Sequence, residues 1–196
     1  MLRVQSMDEG AGSTGTGVSI LTIGHSTRTV DEFIRLLLAH GVRKLVDVRT
    51  VPRSRHNPQF NRDALPVALA AEGIEYTHMP GLGGLRHPRA DSLNTGWRND
   101  SFRGFADYML TLDFRVNIES LVDLGRQERV AVMCAEAVPW RCHRSLIADA
   151  LLVRGVEVFH IMGRNSLVAH ELTPFARVTG MTVTYPLETH DDRGRP

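Results

Sequence analysis

Between residues 18 and 161, short apolar runs alternate with amphipathic stretches, and that rhythm confines the chain to strands and helices taken in turn. VSILTI (18–23), KLVDVR (44–49), IEYTHM (74–79), RVAVMC (129–134) and VEVFHI (156–161) read as five strands. Their near-continuous apolarity is the pattern of strands covered on both faces, as in parallel sheets. The stretches between them carry helical spacing. TVDEFIRLLLAHG (29–41) opens with Thr29 and Glu32 in a capping-box relation and stops at Gly41. Asn61 is a candidate cap for a helix reaching residue 71 and limited by Pro66. Further helices are expected near 101–111, near 113–127 and over CHRSLIADALLVRG (142–155). The expectation is an α/β fold in three layers, a mainly parallel five-stranded sheet flanked by helices in the Rossmann-like, doubly wound manner. It occupies a single domain at 18–185, between a Gly/Ser/Thr-rich flexible leader (1–17) and a flexible tail (186–196), with MTVTYPL (181–187) as a short edge strand.

No apolar run approaches the ~20 residues that cross a bilayer, and the first residues hold no apolar export segment. A cytoplasmic protein with no membrane association is expected, its two cysteines reduced thiols rather than a disulfide framework. A net charge of +1 argues against a nucleic-acid binder held by overall charge. Locally the balance differs: Arg49, Arg53, Arg55, His56 and Arg62 fall in a stretch without a single acid, a candidate anion-binding loop. Because Lys44 is the only lysine among 23 basic residues, the chain favours arginine everywhere, and each arginine taken alone says little.

In an open parallel sheet, ligands bind beyond the carboxyl ends of the strands, so the residues following each strand form one rim. After the first strand come His25 and Ser26; after the second, Arg49, Arg53 and Ser54; after the third, Gly83 and Gly84 of GLGGLR; after the fourth, CAEAVPWRCHR. A helix starting near Cys142 presents unpaired N–H groups and the positive end of its dipole, an anion seat completed by Arg141, Cys142, His143 and Arg144. A thiol in such surroundings tends toward thiolate, which makes Cys134 and Cys142 candidates for nucleophilic or redox chemistry; packing as small apolar side chains is the alternative. His25 and Glu136 are candidate acid–base groups, with turn closure and arginine orientation as their alternatives. Phe60, Trp97, Phe105 and Tyr108 are candidates for stacking a flat ring, or, for the last two, core.

Three sharper patterns fail on spacing. Six residues separate Cys134 from Arg141, one more than in the phosphate loop of tyrosine phosphatases, and none is glycine. A zinc site from Cys134, Cys142, His143 and His25 lacks paired Cys-x2-Cys spacing, and neighbours on a helix point apart, so no metal is expected. GLGGLR fits neither a dinucleotide nor a P-loop fingerprint, and no cofactor is expected.

Taken in order, TIGHS (22–26), LVDVRTVPRSR (45–55), GLGG (81–84), GFADYM (104–109), MCAE (133–136) and CHR (142–144) resemble the bacterial domain of unknown function 488 family. The resemblance implies a compact α/β domain. It implies motif positions at Gly24, His25, Ser26, Asp47, Arg49, Pro52, Ser54, Gly83, Gly84, Cys134, Glu136, Cys142, His143 and Arg144, and no reaction. Thr50 stands where that pattern has serine and keeps the hydroxyl. From the residues, the leading expectation is an enzyme that hydrolyses a phosphoester or glycosidic bond in an anionic substrate, such as a nucleotide, a nucleic acid component or another phosphorylated molecule. A non-catalytic phosphate- or nucleic-acid-binding module and a thiol-based sulfur or redox protein are the alternatives.

Overall fold

The computed structural model of the chain describes residues 17–187, so all of the expected leader but Gly17, and the expected tail beyond residue 187, lie outside the described residues. The elements run β1 (Ser19–Gly24), α1 (Val30–Ala39), β2 (Lys44–Asp47), α2 (Leu65–Ala71), β3 (Glu75–His78), α3 (Asp100–Tyr108), α4 (Leu112–Gln127), β4 (Val130–Cys134), α5 (Arg144–Leu152), β5 (Glu157–Gly163), β6 (Ser166–Ala169), β7 (Arg177–Thr179) and β8 (Thr182–Thr184). The strand order is β3-β2-β4-β1-β5-β6, parallel throughout except for the last pair.

Successive residues of each inner strand feed opposite layers. Leu21, Ile23, Leu45, Ala131 and Met133 meet α1 and α2 through Phe33, Leu37, Leu65 and Leu69. Ile20, Val46, Val130 and Val132 meet α3, α4 and α5 through Phe105, Phe114, Ile118, Leu121, Leu146 and Leu151. Three layers result, with helices on both faces of the sheet.

Local chemistry sets the helix ends. The Thr29 hydroxyl accepts from the Glu32 N–H at 3.2 Å, and Gly41 supplies the positive φ (68°) that ends α1. Asn61 does not cap α2. Its side-chain oxygen accepts from the Ser54 N–H at 2.6 Å, and α2 starts three residues later than that cap requires, with Pro66 in its first turn, where a missing N–H costs nothing.

The expected five strands become six in the main sheet. SLVA (166–169) pairs antiparallel with β5, and it is exposed along its whole length, so it shows no apolar alternation to read. The expected edge strand at 181–187 is shorter and lies elsewhere: β8 pairs with β7 in a separate two-stranded sheet.

One buried hydrogen-bond chain ties β1, β5 and the segment after β6 to α5. Arginine only donates and a carboxylate only accepts, which fixes the two ends of the chain, and one choice of histidine tautomers runs it in a single direction. Arg144 Nη1 donates to Thr22 Oγ1 (3.3 Å), Thr22 to His160 Nδ1 (2.7 Å), His160 Nε2 to His170 Nδ1 (3.1 Å) and His170 Nε2 to Asp149 Oδ1 (2.9 Å). Burial, with the neighbouring His170 and Arg144 adding to it, lowers the His160 pKa from 6.5 to about 4.

Between those two values the unfolded chain binds a proton at His160 that the folded chain refuses. Stability from this group is therefore complete above pH 6.5 and lost as pH falls toward 4. At 1.36 kcal/mol per pH unit the loss is about 3 kcal/mol. Buried His25, lowered to about 4 as well, adds with the same sign. Urea unfolding across this range is expected to show the slope, and His160→Gln to lose its share; an unchanged slope in that variant rules the assignment out.

Candidate active site

β1 and β4 are neighbours, yet α1 leaves to one layer and α5 to the other, which is the arrangement that opens a crevice at strand ends. Here the main chain closes it. The His25 and Ser26 N–H groups donate to the Cys134 and Ala135 carbonyls at 3.0 and 2.9 Å, which extends the ladder past the strands. The cavity opens beside this seam, where the segments after β2, β3 and β4 meet α3. About 360 Å³ is lined by Arg49, Thr50, Val51, Gly84, Leu85, Ser101, Phe102, Cys134, Ala135, Glu136, Arg141, Cys142 and His143. Three roomier hollows lie elsewhere, one against Pro52, Arg53, Asn61, Arg62 and Asp63, one against Trp97, His160, His170 and Phe175, and one against Arg28, Glu32, Arg35 and Arg164. None of them holds a thiol, and the chemistry of the rim converges on the smaller pocket.

At the pocket's edge, Cys134, Cys142 and His143 bring two sulfurs and one imidazole nitrogen within 4.8 Å of one another. His143 Nδ1 lies 3.9 Å from the Cys134 sulfur and 3.7 Å from that of Cys142. The expected divergence of residues 142 and 143 does not occur, because α5 begins at Arg144. Cys142 is still extended (φ −137°, ψ 145°), whereas His143 has turned to the helical region (φ −56°, ψ −11°), and the change of direction folds both side chains toward Cys134. Gly84 leaves the room: a Cβ there would stand 2.5 Å from His143 Nδ1. The two thiols share a proton unevenly. The hydrogen bond from Cys134 draws the Cys142 thiol well below its ordinary range, and that same bond, with burial, pushes Cys134 up.

The other expected site residues separate into three groups. Glu136 and Arg141 are exposed and line the pocket. Arg49 also lines it, but its guanidinium is buried in an ion pair with Asp47 (2.6 Å) and donates to the Phe60 carbonyl (2.6 Å), so it brings no net charge. Arg144 is 1% exposed, with Nη2 on the Glu136 carbonyl at 2.6 Å and Nε without a partner; among the described residues no carboxylate reaches it.

Outside the pocket lies His25. Its ring stacks on Phe60 at 4.3 Å, Nδ1 donates to the Ser26 carbonyl (2.8 Å) and Nε2 accepts from Arg49 Nη1 (3.3 Å). Burial lowers its pKa to about 4. Ser26, at φ 51°, shapes the same turn, and the Ser54 hydroxyl accepts from the Asn57 N–H (3.0 Å) to shape the next. Arg53 is exposed in the hollow beside Asp63. Gly83 packs against Thr50, whose hydroxyl accepts from the Leu85 N–H at 3.3 Å. The anion seat at the helix start is partly filled from within, since the Ser145 and Leu146 N–H groups turn back to the Cys142 and His143 carbonyls. Of the aromatics, Phe60 and Phe105 are core, Trp97 packs on Phe102 and Phe175, and Tyr108 lies under the Arg86 guanidinium at 3.6 Å.

Sequence reasoning missed Phe102 and Ser101 on the lining, because α3 was legible only as an amphipathic helix. It also missed Asp149 and His160. Their signal was present: each is an ionisable residue with apolar neighbours on both sides, Asp149 in SLIADALL and His160 in VFHIM.

A doubly wound α/β domain with a thiol–imidazole cluster at its strand ends is the class that fold and site define. The chain belongs to the family described as Domain of unknown function DUF488, whose profile matches residues 29–151. Every motif position from Asp47 to Arg144 falls in that span, and Gly24, His25 and Ser26 precede it. No curated protein and no solved structure matches the chain. Among the described residues no helix is long and apolar enough to cross a membrane.

Proposed function

We propose that the protein is an enzyme that hydrolyses a phosphoester in an anionic substrate, a nucleotide, nucleic acid component or other phosphorylated molecule, within the pocket beyond β2, β3 and β4. The observation that carries this is the cluster of Cys134, Cys142 and His143 on a pocket with two unpaired positive charges, Arg141 at the mouth and Arg144 behind it, against the single carboxylate of Glu136. A buried guanidinium without a carboxylate partner calls for an anion nearby. Glycoside hydrolysis is the weaker reading, because its usual route needs two carboxyl groups about 5–10 Å apart and Glu136 is the only carboxylate on the lining. His25 is no longer a good base, with both ring nitrogens engaged; Glu136 alone keeps that role. The closeness of the two sulfurs favours a second reading, sulfur or redox chemistry at Cys134 or Cys142.

p-Nitrophenyl phosphate and bis(p-nitrophenyl) phosphate, assayed with the whole chain, test the proposal. Hydrolysis of at least one is expected, with inorganic phosphate as a competitive inhibitor. Arg141→Ala is expected to raise KM and the phosphate inhibition constant about tenfold, the low end for a charge-assisted contact at an exposed rim. Glu136→Gln should lower kcat about a hundredfold with little change in KM. Phosphate binding without turnover of either ester would leave only a binding module, and KM unmoved by Arg141→Ala would remove the rim from substrate recognition.

A further inference from the structure

The geometry points to a zinc site: Cys134, Cys142 and His143 supply three ligands, and the fourth coordination position opens into the pocket. Tetrahedral zinc holds sulfur at about 2.3 Å and imidazole nitrogen at about 2.0 Å, which places sulfur and nitrogen about 3.5 Å apart and the two sulfurs about 3.8 Å apart. The two sulfur–nitrogen distances are already 3.7 and 3.9 Å. The two sulfurs lie within 4.8 Å of each other, so closing the cluster to a coordination sphere takes a few tenths of an ångström at the nitrogen and up to about an ångström between the sulfurs. Two thiolates with an imidazole are a soft set that suits zinc and discourages magnesium or calcium.

The ligands are fixed by the fold. Cys134 ends the central strand β4, Cys142 is extended before α5, and His143 is packed against the Phe105 ring at 5.0 Å. With Nδ1 on the metal the proton sits on Nε2, which is buried and has no protein acceptor, so the imidazole is oriented by packing and not by a hydrogen bond. Three protein ligands and an open position are the arrangement of catalytic rather than structural zinc.

The charges agree. Zinc with two thiolates is neutral, so Arg144 is balanced when the fourth ligand is an anion, hydroxide or a substrate oxygen. This deepens the hydrolytic reading, on which the site's catalytic use rests. A zinc-bound water gives a proton to Glu136, and the resulting hydroxide oxygen bonds to phosphorus. The phosphorus–oxygen bond to the leaving group breaks with its electron pair, and Glu136 returns the proton to that oxygen.

The test uses the whole chain, purified without chelator. About one zinc per chain is expected by elemental analysis. After replacement by cobalt, a sulfur-to-cobalt charge-transfer band and the visible bands of tetrahedral cobalt are expected. Zinc should protect both cysteines from alkylation. Cys142→Ser and His143→Gln should reduce zinc affinity about a hundredfold or more, and Gly84→Ala, which keeps all three ligand residues but crowds the ligating Nδ1 of His143, about tenfold. A wild-type chain that takes up neither zinc nor cobalt, or binds cobalt without the sulfur band, overturns the inference. Ester hydrolysis that persists in chelator-treated, metal-free protein overturns the metal's catalytic use and leaves the hydrolytic reading standing. Tight zinc with no ester turned over keeps the metal site and removes the hydrolytic reading.

Discussion

Gly24→Ala is expected to lower the thermal midpoint by roughly 10 °C or more, the largest effect expected of an alanine at any of the described glycines. Gly24 is the last residue of β1, and a Cβ there would overlap the carbonyl oxygen of Glu136 and reach Arg144 Nη2 at 2.9 Å. A flexible side chain could yield, but a main-chain carbonyl held on two sides cannot. That carbonyl accepts from Arg144 at 2.6 Å, and the residues before it are held by the His25 and Ser26 N–H groups. Relief of the overlap therefore opens the β1–β4 seam and leaves a buried guanidinium with one bond fewer. Overpacking and the lost charged hydrogen bond together amount to about 3–5 kcal/mol. Gly73→Ala is the control. Its φ is +70° and no heavy atom stands within 4 Å, so alanine there meets only backbone strain, about 1 kcal/mol. Equal midpoints for the two variants in a calorimetric scan would refute the steric account. Because the seam also aims Cys134, Gly24→Ala should lose zinc before it unfolds.

The sheet was legible because its inner strands are buried on both faces, so β1, β2, β4 and β5 announce themselves as apolar runs. The strand-end rule then located the rim, and Cys134, Glu136, Arg141, Cys142 and His143 do meet on one pocket. What could not be read was direction. Whether Arg49 faces a ligand or Asp47, and whether Arg144 faces solvent or the Glu136 carbonyl, depends on rotamers that only the packed neighbours select. The convergence of Cys142 and His143 depends on a helix starting at Arg144 instead of two residues earlier, a difference that sequence patterns do not resolve. β6 escaped because an exposed strand carries no burial pattern.

Asp149→Ala is the second large effect, expected to cost about 3–5 kcal/mol and to loosen the chain's last described stretch before the sheet. Asp149 sits in the middle of α5 and is fully buried. Its Oδ1 accepts from His170 Nε2 (2.9 Å) and the Thr173 N–H (3.0 Å), and Oδ2 from the Thr173 hydroxyl (2.6 Å) and the Tyr185 hydroxyl (2.7 Å). Burial, with the Asp149 charge adding to it, holds the Tyr185 phenol protonated well above its ordinary value, so it remains a donor. Alanine removes one acceptor group and orphans four donors, three of them on side chains that cannot reach water without moving. Tyr185 carries the disturbance further: its N–H donates to Asn94 Oδ1 (2.8 Å), and Asn94 Nδ2 to Asp107 on α3 (2.8 Å). The damage is thus expected to be regional. In amide hydrogen exchange, residues 170–185 and 92–97 should lose protection in Asp149→Ala while β1 and β4 keep theirs under native conditions. Asp149→Asn should be intermediate, since one amide oxygen survives but its NH2 faces donors. Uniform loss of protection across β1, β4 and the C-terminal stretch would show instead that Asp149 supports the whole domain, and that the segment after β6 has no separate clamp.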